Sequence, residues 1–171
     1  VRGKGVDILL RALALVRQPF EAVIAGDGHH RQACEKLAES LGLGSRVRFP
    51  GHLSAGELRG HYEEATAILV SSVWPEPFGL VGIEAMRSGL PVVAFDAGGI
   101  REWLRDGENG LLVPWMAVES YAERIDRLLG DKNLARAMGE RGRERATRDY
   151  DFEQYVARLE DLFKKIINEK Q

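Results

Sequence analysis

Residues 67–95 read AILVSSVWPEPFGLVGIEAMRSGLPVVAF. The apolar runs at 67–70 and 91–95 have the length and the β-branched content of buried strands, and the spacing between them predicts a helix over 79–88. Parallel strands need a crossover connection of this kind, usually a helix. This strand–helix–strand unit therefore predicts an α/β fold built on a parallel sheet.

The same alternation runs through the first two thirds of the chain. It predicts strands at 21–25, 46–49, 67–70, 91–95 and 110–113, and helices at 6–16, 31–41, 55–65, 79–88 and 100–106. Such a pattern is typical of a doubly wound, Rossmann-like sheet with helices on both faces. Because it opens on a helix, we expect a further strand ahead of residue 1 to complete a six-stranded sheet.

After Pro114 the pattern becomes helical, with helices predicted at 117–129, 133–149 and 152–168. The apolar stripe of the last helix is most simply explained as core. There is no internal repeat and no low-complexity linker, so residues 1–171 are predicted to form one domain.

Composition excludes several classes of function. The net charge of −2 provides no broad basic surface for nucleic acid. The single cysteine, Cys34, rules out an internal disulfide and fits a reducing compartment. No apolar run approaches the roughly 20 residues of a membrane span. We therefore predict a cytoplasmic protein without a membrane span and without a nucleic-acid partner.

The loop after the strand at 67–70 carries the most informative residues. It lies at the carboxyl end of the sheet, where doubly wound folds bind ligands. Pro75 and Pro77 stiffen the backbone on either side of Glu76. Gly79 then opens a helix, whose first N–H groups form an anion site. This combination predicts a binding site for a phosphorylated ligand.

Glu84 is the single charge between Phe78 and Met86, in a helix that we expect to be largely buried. A buried carboxylate needs hydrogen-bond donors or a cation, and a ribose diol offers two donors. Glu76 could bind hydroxyls of a transferred sugar in the same way. The alternative is that Glu84 pairs with a core arginine and that Glu76 is a solvated loop residue. A carboxylate, an anion-binding helix start and a second carboxylate follow one another in this order. This order favours a nucleotide sugar as the ligand.

The segment resembles the E-x7-E signature of the family 4 (group 1) retaining glycosyltransferases, which have the GT-B fold. Other stretches resemble further elements of this family in consistent order, over about residues 1–152. They are KGVD at 4–7, AGDG at 25–28, VRFPG at 47–51, SGLPVVA at 88–94, GGIRE at 98–102 and DGENGLLV at 106–113.

The resemblance implies a role for each matching residue. Glu76 would contact the donor sugar and Lys4 would neutralise the leaving diphosphate, so these two are the candidate catalytic residues. Glu84 would bind the ribose. The candidate substrate-binding residues also include the backbone N–H groups of Phe78, Gly79, Leu80 and Val81, and a base subsite at Gly26, Gly28, Arg48 and Phe49. The loop at Gly98-Gly99 either lies near sugar and phosphate or simply starts a short helix.

The resemblance also implies the biochemical setting. The chain would be the C-terminal donor-binding half of a hexosyltransferase that uses a UDP-, GDP- or ADP-sugar without a metal or cofactor. An absent N-terminal domain would supply the acceptor site and a catalytic histidine, so we expect this chain alone to bind nucleotide without transferring sugar. Attachment to the inner membrane face through that domain is an alternative to a free cytoplasmic location. The terminal helix of such enzymes packs back toward the N-terminal domain, so the alternative to a core role is that part of the apolar stripe at 152–168 is exposed here. A nucleotide-sugar 2-epimerase and a non-catalytic module are the alternative functions.

Two departures from the family pattern stand out. The arginine that the family places five or six residues before the lysine would lie ahead of Val1. Thr66 and Ser71 stand where the family often has Asp and Pro. Neither of these two changes is expected to touch the ligand contacts.

Overall fold

The computed structural model describes residues 2–168 and confirms the predicted alternation of strands and helices. The strands are β1 (Ala22–Ala25), β2 (Val47–Gly51), β3 (Ile68–Val70), β4 (Val92–Phe95) and β5 (Gly110–Val113). The helices are α1 (Val6–Leu15), α2 (Arg31–Ser40), α3 (Ala55–Glu64), α4 (Leu80–Arg87), α5 (Ile100–Trp103), α6 (Val118–Gly130), α7 (Lys132–Asp149) and α8 (Phe152–Asn168). A short 3₁₀ turn, Arg2–Lys4, precedes α1 and is a feature that the sequence pattern did not predict.

The strands form two parallel sheets rather than one continuous sheet. β1 pairs with β2, while β3, β4 and β5 pair in that order. A cavity of about 1790 Å³ is lined by residues of both β1 and β3. Every residue of β4 and β5 is buried, whereas the apolar residues of β3 are all half-buried. The described residues therefore leave a space between two strand edges at the position where a continuous sheet would carry another strand.

The three-stranded sheet is covered on both faces, as the doubly wound prediction requires. Val93 and Phe95 of β4 pack with the helices α1 and α6 in one buried cluster. Val92 and Ala94 face the other way and pack against α4 and α5, with Trp103 at the centre of the second cluster. The alternation arises because successive side chains of a strand point to opposite faces. Helices therefore cover both faces of the three-stranded sheet.

The first turn of α3 shows the capping box that Ser54 and Glu57 form. Glu57 N–H donates to the Ser54 hydroxyl at 3.4 Å, and Ser54 N–H donates to the Glu57 carboxylate at 2.8 Å. The box satisfies two N–H groups that a helix start otherwise leaves without partners.

The prediction that the α8 stripe belongs to the core is wrong, and the alternative, exposure of part of the stripe, agrees with the structure. No described residue of α8 is buried, and six of its large apolar side chains are exposed: Phe152, Tyr155, Leu162, Phe163, Ile166 and Ile167. The helical period was read correctly, but periodicity cannot show whether another element covers the apolar face. Among residues 2–168, no helix is both long enough and apolar enough to cross a membrane.

Candidate functional site

The candidate site lies at the carboxyl edge of the strands, where the loops after β1, β2, β3 and β4 come together. The loop after β3, residues 71–79, is its centre and is called the Glu76 loop below. Each sheet is parallel, so within each sheet the carboxyl ends of the strands lie at the same edge. The Glu76 loop therefore lies at the carboxyl end of the sheet, as the sequence predicts.

Lys4 forms an ion pair with Glu76 and joins the first turn of the chain to the Glu76 loop. The Ser72 hydroxyl donates a hydrogen bond of 2.8 Å to the same carboxylate oxygen, Oε1 of Glu76. The Glu76 side chain is 16% exposed and that of Lys4 is 61% exposed. The hydrogen bond from Lys4 lowers the pKa of the Glu76 carboxyl against the effect of partial burial, and Ser72 lowers it further. Glu76 is therefore held as a carboxylate, an acceptor for hydroxyl groups.

The backbone beside Lys4 is held firmly against the end of β3. The Gly3 carbonyl oxygen accepts hydrogen bonds from the N–H groups of Val73, at 2.9 Å, and Trp74, at 3.1 Å. The Ser71 hydroxyl donates to the Lys4 carbonyl oxygen at 2.8 Å. Ser71 therefore positions the backbone of Lys4. These bonds fix the backbone from which the Lys4 side chain extends.

Gly98 and Gly99 support the Glu76 loop from the other side. Gly99 N–H donates to the Glu76 carbonyl oxygen at 2.6 Å. A Cβ atom on Gly98 would lie 2.4 Å from the same oxygen, and one on Gly99 would lie 2.1 Å from the Pro77 carbonyl oxygen. Gly98 also has a φ of +59°, a conformation that favours glycine. These two residues therefore allow a backbone-to-backbone contact that fixes the position of Glu76.

Helix α4 begins at Leu80, one residue after the predicted start. Gly79 precedes it with a φ of +86° and no side-chain cap. The first N–H groups of a helix have no intrahelical partner, and the helix dipole places partial positive charge there. Leu80 and Val81 are exposed at this turn. An anion can therefore approach the start of α4 directly.

Trp103 packs against the first turn of α4 and fixes its position. Its ring is fully buried and lies against Gly82, where an added Cβ would come within 2.2 Å of the ring. Its indole Nε1–H donates to the Phe78 carbonyl oxygen at 2.5 Å. This burial makes Trp103 a core residue rather than a surface on which a ligand could stack.

Glu84 is exposed, and the expectation that it lies buried in α4 is wrong. The buried face of α4 consists of Gly82, Ile83, Ala85 and Met86, and Glu84 points away from it. Glu84 instead lines the same cavity as Leu80 and Val81. Burial raises the pKa of the Tyr62 phenol, and the nearby Glu84 carboxylate raises it further. Glu84 therefore needs no core arginine, and its carboxylate is available to a ligand in the cavity.

Of the predicted base subsite, Gly26 and Gly28 follow the carboxyl end of β1, whereas Arg48 and Phe49 lie within β2. Gly26 follows β1 with a φ of +121°, and its N–H donates to the Gly51 carbonyl oxygen at 2.7 Å. Arg48 is largely exposed, at 3.8 Å from the Glu21 carboxylate. Arg31, at the start of α2, donates to the Phe49 carbonyl oxygen at 2.7 Å and to Glu35 at 2.8 Å. Arg31 thus ties the start of α2 to the end of β2.

All the predicted site residues line the cavity described above. They are Lys4, Gly26, Gly28, Arg48, Phe49, Glu76, Phe78, Gly79, Leu80, Val81 and Glu84. The cavity also continues between β1 and β3, so lining it does not by itself assign a role. The direct contact that the structure adds is the ion pair of Lys4 with Glu76.

Three residues with a place in this site were missed from the sequence: Arg31, Tyr62 and Ser72. Ser72 could have been found, because polar residues that directly follow a buried parallel strand gather at the ligand-binding edge. Arg31 and Tyr62 lie on helices, and no local pattern indicates that their side chains reach the cavity. They depend on how α2 and α3 pack.

Comparison with known proteins places the chain in a family. The model of the family described as glycosyl transferases group 1 matches residues 1–145. A GDP-mannose-dependent phosphatidylinositol monomannoside mannosyltransferase of Mycobacterium tuberculosis is 31% identical over 94% of this chain and 44% of its own length. A D-inositol 3-phosphate glycosyltransferase of Corynebacterium urealyticum is 34% identical over 96% of this chain and 41% of its own length. The chain thus spans less than half the length of these curated relatives.

Solved structures give the same result for the fold. The sucrose-phosphate synthase of Thermosynechococcus elongatus is 34% identical and superposes with a TM-score of 0.89 over 98% of this chain and 43% of its own. The Anabaena protein HepE, solved in complex with UDP and glucose, is 26% identical, with a TM-score of 0.90 over 96% of this chain and 46% of its own. The domain is therefore one half of a GT-B architecture, and the chain belongs to the group 1 glycosyltransferase family.

Proposed function

We propose that this chain binds the nucleotide-sugar donor of a retaining hexosyl transfer to a hydroxyl acceptor, as the C-terminal half of a two-domain glycosyltransferase. The observation that carries the proposal is the juxtaposition of Lys4, Glu76 and the uncapped start of α4 at one edge of the sheet. A cation, a carboxylate and a helix N-terminus match the diphosphate and the hydroxyl groups of such a donor.

The diphosphate would lie at the start of α4, within reach of the Lys4 ammonium group. When the bond to the sugar breaks, negative charge develops on the leaving diphosphate. Fixed positive groups that meet this charge lower the barrier, and they are usually a large term in catalysis. In this arrangement Lys4 and the N–H groups of Leu80 and Val81 stabilise the leaving group, while Glu76 accepts hydrogen bonds from sugar hydroxyls.

The nucleoside would extend from the start of α4 towards β1 and β2. Glu84 is exposed to the cavity and would accept the ribose diol. The base would lie against Arg48 and Phe49, with Gly26 and Gly28 at its edge. The Anabaena HepE structure, whose ligands are UDP and glucose, supports a donor of this class. UDP, GDP and ADP remain the candidate nucleotides.

The acceptor site belongs to the other half of the protein in this proposal. The relatives are more than twice as long as the part that the chain matches, which leaves room for an N-terminal domain. We accordingly expect the 171-residue chain to bind nucleotides without transferring sugar. The cytoplasmic location and the independence from metal ions stay predictions.

We further propose that a parallel strand of the whole protein occupies the space between β1 and β3. Both strands present half-buried apolar residues to the cavity, and parallel strands are normally buried on both faces. Gly3 is held at the carboxyl end of β3, where a strand leading into α1 would end. A longer chain that includes such a strand should unfold at a higher temperature than the 171-residue chain.

Calorimetry with UDP, GDP, ADP and their hexose conjugates tests the donor site. We expect the chain to bind at least one of these series, and Glu84→Gln to weaken binding about tenfold, since it removes a charged hydrogen-bond acceptor. Glu160→Gln is the matched control, because Glu160 lies on α8 and contacts Lys164 at 3.8 Å. Absence of binding by all six ligands to the chain and to a longer chain would overturn the proposal.

A further inference from the structure

We propose that Lys4 and Glu76 form a latch that couples recognition of the diphosphate to recognition of the sugar. The latch is the ion pair between these two side chains. In the free site each group neutralises the other. A bound diphosphate takes the Lys4 ammonium group, and the released Glu76 carboxylate turns to the sugar hydroxyls. This inference rests on the proposed function and adds a mechanism to it.

The two partners differ in accessibility in the way such an exchange requires. Lys4 is 61% exposed, so an anion from solvent can reach its ammonium group, whereas Glu76 is 16% exposed. A diphosphate offers more negative charge and more acceptor oxygens than one carboxylate, and charge-assisted hydrogen bonds are the strong ones. The diphosphate should therefore compete well for Lys4. Glu76 then loses its main cation while it remains largely out of water.

Ser72 allows Glu76 to leave without creating an unsatisfied buried donor. Its hydroxyl has a single proton and two acceptors in reach, Glu76 Oε1 at 2.8 Å and the Gly3 carbonyl oxygen at 3.2 Å. When Glu76 turns to a sugar hydroxyl, Ser72 can donate to Gly3 alone. Leaving a buried donor unpaired would cost free energy, and the second acceptor avoids that cost.

The exchange needs side-chain movement and no change of the backbone. Gly3 and Lys4 are fixed to the end of β3 by the hydrogen bonds from Ser71, Val73 and Trp74. Glu76 is fixed by the bond from Gly99 N–H to its carbonyl oxygen. Both side chains therefore start from positions that are the same in the latched and in the released site.

The latch makes an unusual prediction for the free nucleoside diphosphate. This ligand breaks the ion pair and offers Glu76 no hydroxyl in return, so the carboxylate opposes its binding. A nucleotide sugar offers a diphosphate to Lys4 and hydroxyl groups to Glu76. Glu76→Gln removes the charge, frees Lys4 in advance and should tighten binding of the nucleoside diphosphate about two- to fivefold, the range for a partly exposed ion pair. The same change should weaken binding of the nucleotide sugar.

The test is calorimetry of UDP, GDP and ADP and of their hexose conjugates with wild type, Glu76→Gln and the charge-matched control Glu160→Gln. Opposite changes in the two ligand classes for Glu76→Gln, with no change for the control, support the latch. An unchanged or weaker affinity for the diphosphate overturns the latch and leaves the donor site standing. Binding of no ligand to wild type overturns both proposals.

A second measurement needs no ligand. NMR titration of the Glu76 carboxyl in wild type and in Lys4→Met follows the ion pair directly. We expect the pKa of Glu76 to rise in the variant, because the hydrogen bond from Lys4 is the largest cause of its lowering. Equal titration curves would show that the two side chains do not pair, and the latch would be wrong even if nucleotides bind.

Discussion

The indole Nε1–H of Trp103 donates a hydrogen bond of 2.5 Å to the carbonyl oxygen of Phe78. This bond joins the fully buried side chain at the end of α5 to the loop that presents Glu76 and the start of α4. A buried indole N–H needs an acceptor, and here the acceptor belongs to the ligand-binding edge. A residue of the buried core therefore fixes the backbone of the loop that forms the candidate site.

Trp103→Phe should destabilise the domain and weaken donor binding, because it removes the donor to Phe78 and leaves a space beside Gly82. We expect a loss of about 1–3 kcal/mol in the free energy of unfolding, measured with urea. Trp115→Phe is the control: Trp115 is 59% exposed and its Nε1–H donates to Val73 at 3.2 Å. Equal losses for both variants would contradict the role of the buried bond.

Gly98→Ala should disturb the position of Glu76. Gly107→Ala is its control, because Gly107 has a φ of +79° and open space at the Cβ position, whereas a Cβ on Gly98 meets the Glu76 carbonyl oxygen at 2.4 Å. Gly107→Ala should cost about 1–2 kcal/mol for the left-handed backbone alone. Gly98→Ala should cost about 1–3 kcal/mol more, because the overpacked loop must move. Urea unfolding measures both, and a control that costs as much as Gly98→Ala would contradict the clash.

The stability of the domain should depend on pH through Glu76. The folded-state pKa of Glu76 lies below its ordinary value. The ionised carboxylate therefore stabilises the fold above the ordinary pKa of about 4.3, and this contribution is lost as the pH falls through the lowered folded-state pKa. Below about pH 4.3, the free energy of unfolding should fall more steeply for wild type than for Lys4→Met. Parallel pH profiles of the two proteins would count against the ion pair.

Arg31→Lys should alter the base subsite while it keeps the charge. The guanidinium donates to both Phe49 and Glu35, and an ammonium group cannot reproduce this planar fork. We expect a loss of about 1 kcal/mol in stability and a change in the relative affinities for UDP, GDP and ADP. Arg59→Lys is the control, since Arg59 makes an exposed pair with Glu63 at 3.5 Å. If the relative affinities for the three nucleotides do not change, Arg31 has no role in recognising the base.

The local sequence pattern was sufficient to predict the strands and helices of this domain. The alternation of apolar strands with amphipathic helices and the place of the Glu76 loop after β3 agree with the sequence prediction. These features depend on residues that are close together in the chain. The resemblance to the group 1 glycosyltransferases likewise rests on short motifs, and the family match confirms it.

The burial of individual side chains and the pairing of charged residues could be established only from the tertiary structure. The apolar neighbours of Glu84 predict burial, but the orientation of α4 turns this side chain to the cavity. The stripe of α8 has helical period, yet no described element covers it. The contact of Lys4 with Glu76 spans 72 residues. The positions of the strands, the helices and the charged residues can be read from the sequence of this protein. Which of those charges meet depends on tertiary packing, because a contact between distant residues requires the relative placement of whole elements, and no local period encodes that placement.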